Sequence, residues 1–209
     1  LLDACQSVGQ MKIDVEEIGC DLLSATGRKY LRGPRGTGFL YVRDSILEKL
    51  DPPWLDLRSA RWVDPDRYEL APGARRFENW EFNFAALLGL GAAVEYALDW
   101  GLDAIEDYVT AYAAHLREEL HAIPGVSVRD IGARQCGIVT FRVRGKAEEI
   151  AAALTTEGIN VSVSVASSTL LDMRARGLDN VVRAGVHYYN DEAEAERFLT
   201  AIRRLAAEI

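Results

Sequence analysis

Apolar and polar positions along the chain change period several times, and each change marks an element. Short apolar runs ending at Leu1-Leu2, over Asp21-Leu22-Leu23-Ser24-Ala25 and over Gly38-Phe39-Leu40-Tyr41-Val42 are bounded by turn residues and read as sheet strands with loops at their ends. From Asp51 to Arg76 four prolines, two tryptophans and many charges break any period, which predicts a long connection of the kind that often carries an active site. Leu87, Leu90, Val94 and Leu98 then recur at helical offsets up to Gly101-Leu102. Ile105, Tyr108, Val109, Tyr112, Leu116 and Leu120 form a second helical face that stops at Pro124-Gly125. Beyond it the pieces are short. Strands are expected at 126–128, 138–141, 159–163 and 181–186, with a helix over 148–156. A last helix begins near Asn190-Asp191 and sets Phe198, Ala201, Ile202 and Leu205 on one side. The pattern is α/β, and it divides the chain at residues 1–100, with sheet and linking helix, and 101–209, with a helix and a small α+β domain.

Composition narrows the classes of function. With 209 residues and 49% hydrophobic content the chain can bury a full core. A net charge of −8 without a Lys/Arg stripe argues against nucleic acid as a partner, and the apolar stretches are too short to span a bilayer. Cys5, Cys20 and Cys136 form no CxxC pair, which suggests neither a disulfide framework nor a zinc knuckle and fits a reducing cytoplasm. His115 and His121 lack further ligands at metal spacing, so no metal site is expected. The chain starts at Leu1 with a strand already under way, and it is expected to be part of something longer.

Chemistry concentrates in Ser24-Ala-Thr-Gly-Arg-Lys-Tyr-Leu-Arg-Gly-Pro-Arg-Gly-Thr-Gly38, taken together with Asp3 and Gln6. Lys29 follows a strand and sits among Thr26, Gly27, Arg28, Gly33, Arg35 and Gly36. Neighbouring positive charge favours the neutral amine that attacks an aldehyde, and the same cations can hold a phosphate. An aldehyde and a phosphate in one cofactor describe pyridoxal 5'-phosphate. Its ring nitrogen needs a carboxylate opposite the lysine. Asp3, at the carboxyl end of an apolar strand, is the candidate, and Gln6 is placed to donate to the ring oxygen. A lysine after a strand is ordinarily a surface residue; the surrounding Asp, Gln and glycines outweigh that here.

The run LLDACQSVGQMKIDVEEIGCDLLSATGRKYLRGPRGTGFLYVR resembles the cofactor core of the class V aminotransferase family, the fold-type I pyridoxal phosphate enzymes that include cysteine desulfurases, isopenicillin N epimerase-like proteins and C–S lyases. An Asp-x-x-Gln pair precedes Lys29 by 26 positions and a Gly-Pro-x-Gly-x-Gly run follows. Phe77-Glu78 with Asn83, and VVRAGVHYYNDEAE, resemble later segments of the family. The resemblance implies an aspartate aminotransferase-type fold, of which this chain is the end of the large, mainly parallel-sheet domain plus the small α+β carboxyl-terminal domain. It also implies that Lys29 carries the cofactor as a Schiff base, that Asp3 pairs with the pyridinium, and that Gln6 bonds the phenolic oxygen. Thr26 and Arg28 would bind phosphate, and Arg183 would bind the substrate carboxylate. A small amino acid substrate follows, together with a homodimer or a complementary amino-terminal half as partner.

Departures sharpen the expectation. Trp80-Glu81 stands where relatives place a Gly-Thr that reaches a neighbouring subunit's phosphate. The stretch Ile159–Thr169 has serines and no cysteine where desulfurases need a thiol, so a cysteine desulfurase is not expected. Ser162, Ser164, Ser167 and Ser168 suit either a substrate pocket or a half-buried strand, and His187 is read as a packing residue. Amino-group transfer is the leading expectation, with C–S bond cleavage or epimerisation as alternatives and a non-catalytic partner half as the reading from outside enzymology.

Overall fold

A computed structural model describes residues 1–144 and 147–208, which divide into two compact units, Leu1–Asp103 and Ala104–Ile209. The first contains β1 (Leu2–Asp3), α1 (Val15–Ile18), β2 (Leu22–Thr26), β3 (Gly38–Val42), α2 (Asp44–Leu47), β4 (Ala60–Asp64), β5 (Arg67–Leu70), a 3-10 turn over Gly73–Phe77 and α3 (Phe84–Trp100). Alternation sets β2 at the centre: Leu23 and Ala25 are buried, while Leu22, Ser24 and Thr26 lie half-buried. β1 runs parallel to it with Asp3 opposite Ser24, and β3 runs antiparallel with Thr26 opposite Gly38. Ala4, Leu23 and Ala25 form a small core under this sheet, to which Val8, Ile13, Val15 and Tyr41 add.

Two differences from the sequence expectation have physical causes. The stretch expected as a long connection contains the β4–β5 hairpin, closed by a tight turn at Pro65-Asp66 between paired Asp64 and Arg67. Trp62 faces Tyr68 across that hairpin and both are exposed, so cross-strand pairing sustains it with no buried face to give an alternating pattern. The second difference concerns α3, expected to bury Leu87, Leu90, Val94 and Leu98. It buries Ala86, Leu90 and Ala97, while Leu87, Leu88 and Leu98 are exposed. Asn83 begins this helix by accepting the N–H of Ala86 at 3.0 Å.

The second unit holds most of α4 (Leu102–Ala122), then β6 (Val126–Val128), β7 (Ile138–Val143), α5 (Ala147–Thr156), β8 (Ser162–Val165), α6 (Leu170–Ala175), β9 (Asn180–Gly185) and α7 (Glu192–Ala207). Its sheet has the order β6-β7-β9-β8, antiparallel throughout. Val139, Phe141 and Val143 alternate inward from β7 and meet Ile150, Leu154, Phe198 and Ile202. The strand expected at 159–163 begins three residues later, because Ile159 still closes the end of α5 through its N–H to Leu154 O. Arg117 and Asp130 form a nearly buried ion pair at 2.7 Å, and the same guanidinium donates to the carbonyls of Cys136 and Ile138. These added bonds offset the cost of removing both charges from water.

At the start of α7, Asp191 accepts the N–H of Glu194 while Glu194 reaches back to the N–H of Asp191, a complete capping box. Tyr112 donates to Asp191 O at 2.6 Å, and burial pushes its phenol up to about 12. Asp191→Ala is expected to lower stability by about 1 kcal/mol, read as a reduced urea midpoint with an unchanged slope.

Candidate cofactor site

Asp3 ends β1, and Lys29 follows the neighbouring end of β2 after a two-residue turn, so parallel pairing brings both to one edge of the sheet. The turn is tightly drawn. Gly27 N–H donates to Thr37 O at 2.9 Å, Gly33 N–H to Gly27 O at 2.7 Å, and Arg32 N–H to Lys29 O at 2.8 Å. A Cβ on Gly27 would fall on the Thr37 hydroxyl and lie 2.7 Å from Leu90 Cδ1, so a larger residue there would have to displace both side chains. Arg32 adopts a left-handed backbone at φ 59° and lays its guanidinium over the Tyr96 ring at 5.1 Å. The lysine loop is thereby shaped by backbone bonds and by contact with α3.

Asp3 is held ionised. A hydrogen bond from the Cys5 thiol, then one from the Cys5 N–H to Asp3 Oδ1 at 3.0 Å, and then the charge of Lys29 keep its carboxyl below the usual range. Lys29 is half-buried and Arg28, one residue earlier, is exposed. The Thr26 hydroxyl donates to Thr37 O at 3.4 Å, and the Gln6 backbone carbonyl accepts from the Gln10 side-chain amide. The structure therefore groups Asp3, Gln6, Thr26, Arg28 and Lys29 in the first unit. Arg183 belongs to the second, on β9, opposite Thr140 on β7 and Ser162 on β8.

Sequence reasoning overlooked the bond from the Cys5 N–H to Asp3, which depends on a turn that no periodicity reveals. It also overlooked Arg58, which pairs with Glu78 at 2.6 Å and lies over the Phe82 ring at 5.2 Å. Arg58, Glu78 and Phe82, with Gly36, Thr37 and Asn83, line a cavity of about 330 Å³ in the first unit. The Trp80 N–H donates to Asp56, whose carboxyl is held low first by that bond and next by the N–H of Arg58. His187 is buried, stacked on Tyr189 with ring centroids 4.4 Å apart, and its Nδ1 accepts the N–H of Tyr188. Among the described residues no group of three or more His, Cys, Asp or Glu is arranged to hold a metal, and no single helix is long and apolar enough to cross a membrane.

Asp3 at the end of β1 and Lys29 just beyond the end of β2 are a carboxylate and an amine of the kind that suits a ring bearing an aldehyde and a basic nitrogen. The comparisons with known proteins agree with that chemistry. The family described as Aminotransferase class-V matches residues 1–198, and the chain belongs to this family, whose cofactor is pyridoxal phosphate. It is 32% identical over 98% of its length to a probable cysteine desulfurase of Xylella fastidiosa, covering 49% of that protein. Among solved structures it matches the apo cysteine desulfurase of Thermococcus onnurineus NA1 at 30% identity with a TM-score of 0.91, covering 99% of this chain and 52% of that one. It also matches the cystine C–S lyase C-DES, in complex with its product cysteine persulfide, at 25% identity and a TM-score of 0.79, covering 95% and 50%. The fold-type I architecture is thereby shown. The chain spans about half the length of the curated relatives named here. Their names run against the expectation that set it apart from cysteine desulfurases.

Proposed function

We propose that this chain carries the lysine half of a pyridoxal phosphate site that acts on an amino acid. The observation that supports the reading best is that parallel pairing of β1 with β2 brings Asp3, its carboxyl held low, to the end of β2 beyond which Lys29 follows. The site residues fit the cofactor, which would supply an electron sink for the carbanion formed at the substrate α-carbon. Lys29 Nζ would bond the cofactor aldehyde and, once displaced by the substrate amine, take the α-proton. Asp3 would hold the proton on the ring nitrogen, Gln6 would donate to the ring hydroxyl oxygen, and Thr26 and Arg28 would bind the phosphate. Arg183 would hold the substrate carboxylate through its guanidinium fork.

The finer outcome divides between amino-group transfer and C–S bond cleavage. Family membership supports the first, and the names of the relatives support the second, with a cysteine-like substrate. Against persulfide formation on the enzyme stands the segment from β8 to α6, Ser162–Ala175, which has no cysteine. The exposed Phe84, Leu87, Leu88 and Leu98 of α3 support an assembly, either a homodimer or a union with the part of the relatives that this chain does not span.

Borohydride reduction of the pyridoxal phosphate-loaded protein followed by peptide mapping is expected to place the label on Lys29. Incubation with cysteine or cystine is then expected to release pyruvate and ammonia if C–S cleavage is the outcome, and amino transfer to a 2-keto acid if it is not. Label on Lys12 or Lys49 would overturn the assignment.

A further inference from the structure

The sheet of the second unit commits one face to packing. Val139, Phe141 and Val182 belong to the core, and Val126, Val128 and Val163 pack against it. Side chains alternate along a strand, so the positions between them turn to the opposite face: Ser127 on β6, Thr140 and Arg142 on β7, Ser162 and Ser164 on β8, and Arg183 on β9. Register sets them side by side. Ser127 is opposite Arg142, Thr140 is opposite Arg183, and Arg183 is opposite Ser162. The ladder runs one residue past β6, where the Arg129 N–H donates to Thr140 O at 2.7 Å, and Arg129 thereby joins this face.

Charge on this face has a single sign. Five arginines of the second unit are half-buried: Arg117, Arg129, Arg142, Arg176 and Arg183. Arg117 pairs with Asp130 at 2.7 Å and Arg176 with Asp172 at 2.9 Å. Among the described residues the side chains of Arg129, Arg142 and Arg183 have neither an ion pair nor a hydrogen bond, and the Arg129 Nε is buried without a partner. The strand positions of the face include no Asp or Glu. Asp130, just past them, spends its carboxylate on Arg117 and on the Thr140 N–H at 2.8 Å. Arg142 and Arg183 are diagonal neighbours on adjacent strands, about 7–8 Å apart, and like charges so placed repel. Arg129 stands two strands from Arg183, at about 10 Å. Three uncompensated guanidiniums at this spacing, in a chain of net charge −8, have room and charge for more than one carboxylate.

We propose that Arg142 and Arg129 make this face selective for a dicarboxylic amino acid: with the α-carboxylate on Arg183, they receive a second carboxylate at the end of the substrate side chain. The proposal rests on the Arg183 reading above and names the substrate class for it. Acidic amino acids and cysteine S-conjugates that end in a carboxylate both belong to that class, so it suits amino-group transfer and C–S cleavage alike.

The test is calorimetric titration of the protein with glutarate and with pentanoate, which has the same number of carbons and one carboxylate; it needs no cofactor. Wild type is expected to bind glutarate on the order of tenfold more tightly, at low salt where screening is weak. Arg142→Gln or Arg129→Gln is expected to bring glutarate within about twofold of pentanoate, and Arg183→Gln to weaken both ligands. Circular dichroism checks that each variant is folded, and the wild-type comparison decides even where one is not. Equal affinity of wild type for the two ligands, no detectable glutarate binding, or a preference kept in both Arg142→Gln and Arg129→Gln would overturn the proposal. Pentanoate affinity unchanged in Arg183→Gln would instead locate the failure in the Arg183 reading.

Discussion

Lys29→Ala is expected to lower amino acid turnover by about 10⁴-fold and to abolish borohydride-stable cofactor attachment, while Lys49→Ala leaves both intact. The size of the effect follows from two duties of one nitrogen. In the proposed reading Lys29 Nζ, the one primary amine on its loop, would bond the aldehyde and, after displacement, would serve as the base for the substrate α-proton. Arg28 and Arg32 flank it but cannot give up a proton at ordinary pH, and Arg32 is turned to the Tyr96 ring. Stopped assays with cysteine and with a 2-keto acid acceptor, run beside peptide mapping, check the expectation. Turnover retained within tenfold in Lys29→Ala would remove the lysine from the mechanism.

The second large effect concerns folding. Phe141→Ala is expected to destabilise the second unit by about 3–5 kcal/mol, seen as a fall in denaturation midpoint with the slope preserved. Phe141 has no exposed surface, sits mid-strand on β7 and meets the Phe198 ring edge-on, with centroids 5.9 Å apart. Truncation leaves a void walled by β7, β9 and α7, whose positions are fixed by sheet pairing and by the capping box, so the site has little freedom to collapse. A loss under about 1 kcal/mol would mean that these walls do move.

Elements that bury one face were legible in the sequence. The last helix places Phe198, Ala201, Ile202 and Leu205 inward. β3 and β6 also begin and end where the apolar runs do, although β3 leaves Phe39 and Leu40 exposed and β6 is half-buried. Elements sustained by local bonds were not. α1 is a single turn, started by Asp14 accepting from Glu16 and Glu17 and stopped by Gly19 at φ 69°, too short for helical period to show. The hairpin of β4 and β5 hides among prolines and charges, held partly by the Arg61–Glu69 ion pair. At the site, Asp3 and Lys29 stand out because a carboxylate and an amine at that spacing suit one chemistry. Cys5 does not, since its N–H reaches the Asp3 carboxylate only through a local turn. Arg183 was found by resemblance, and it stands on β9 opposite Thr140 of β7 and Ser162 of β8.

The contact between the lysine turn and α3 has a thermal consequence. Leu90 fits against Gly27 and Gly33, and Gly89 lies where a methyl group would strike Pro34, so the helix is a floor against which the turn is pressed. A segment so supported is expected to melt together with the helix, as one transition in a thermal scan. On heating, loss of the vitamin-derived ligand would coincide with collapse of the helix beneath it and would not come as an earlier, separate event.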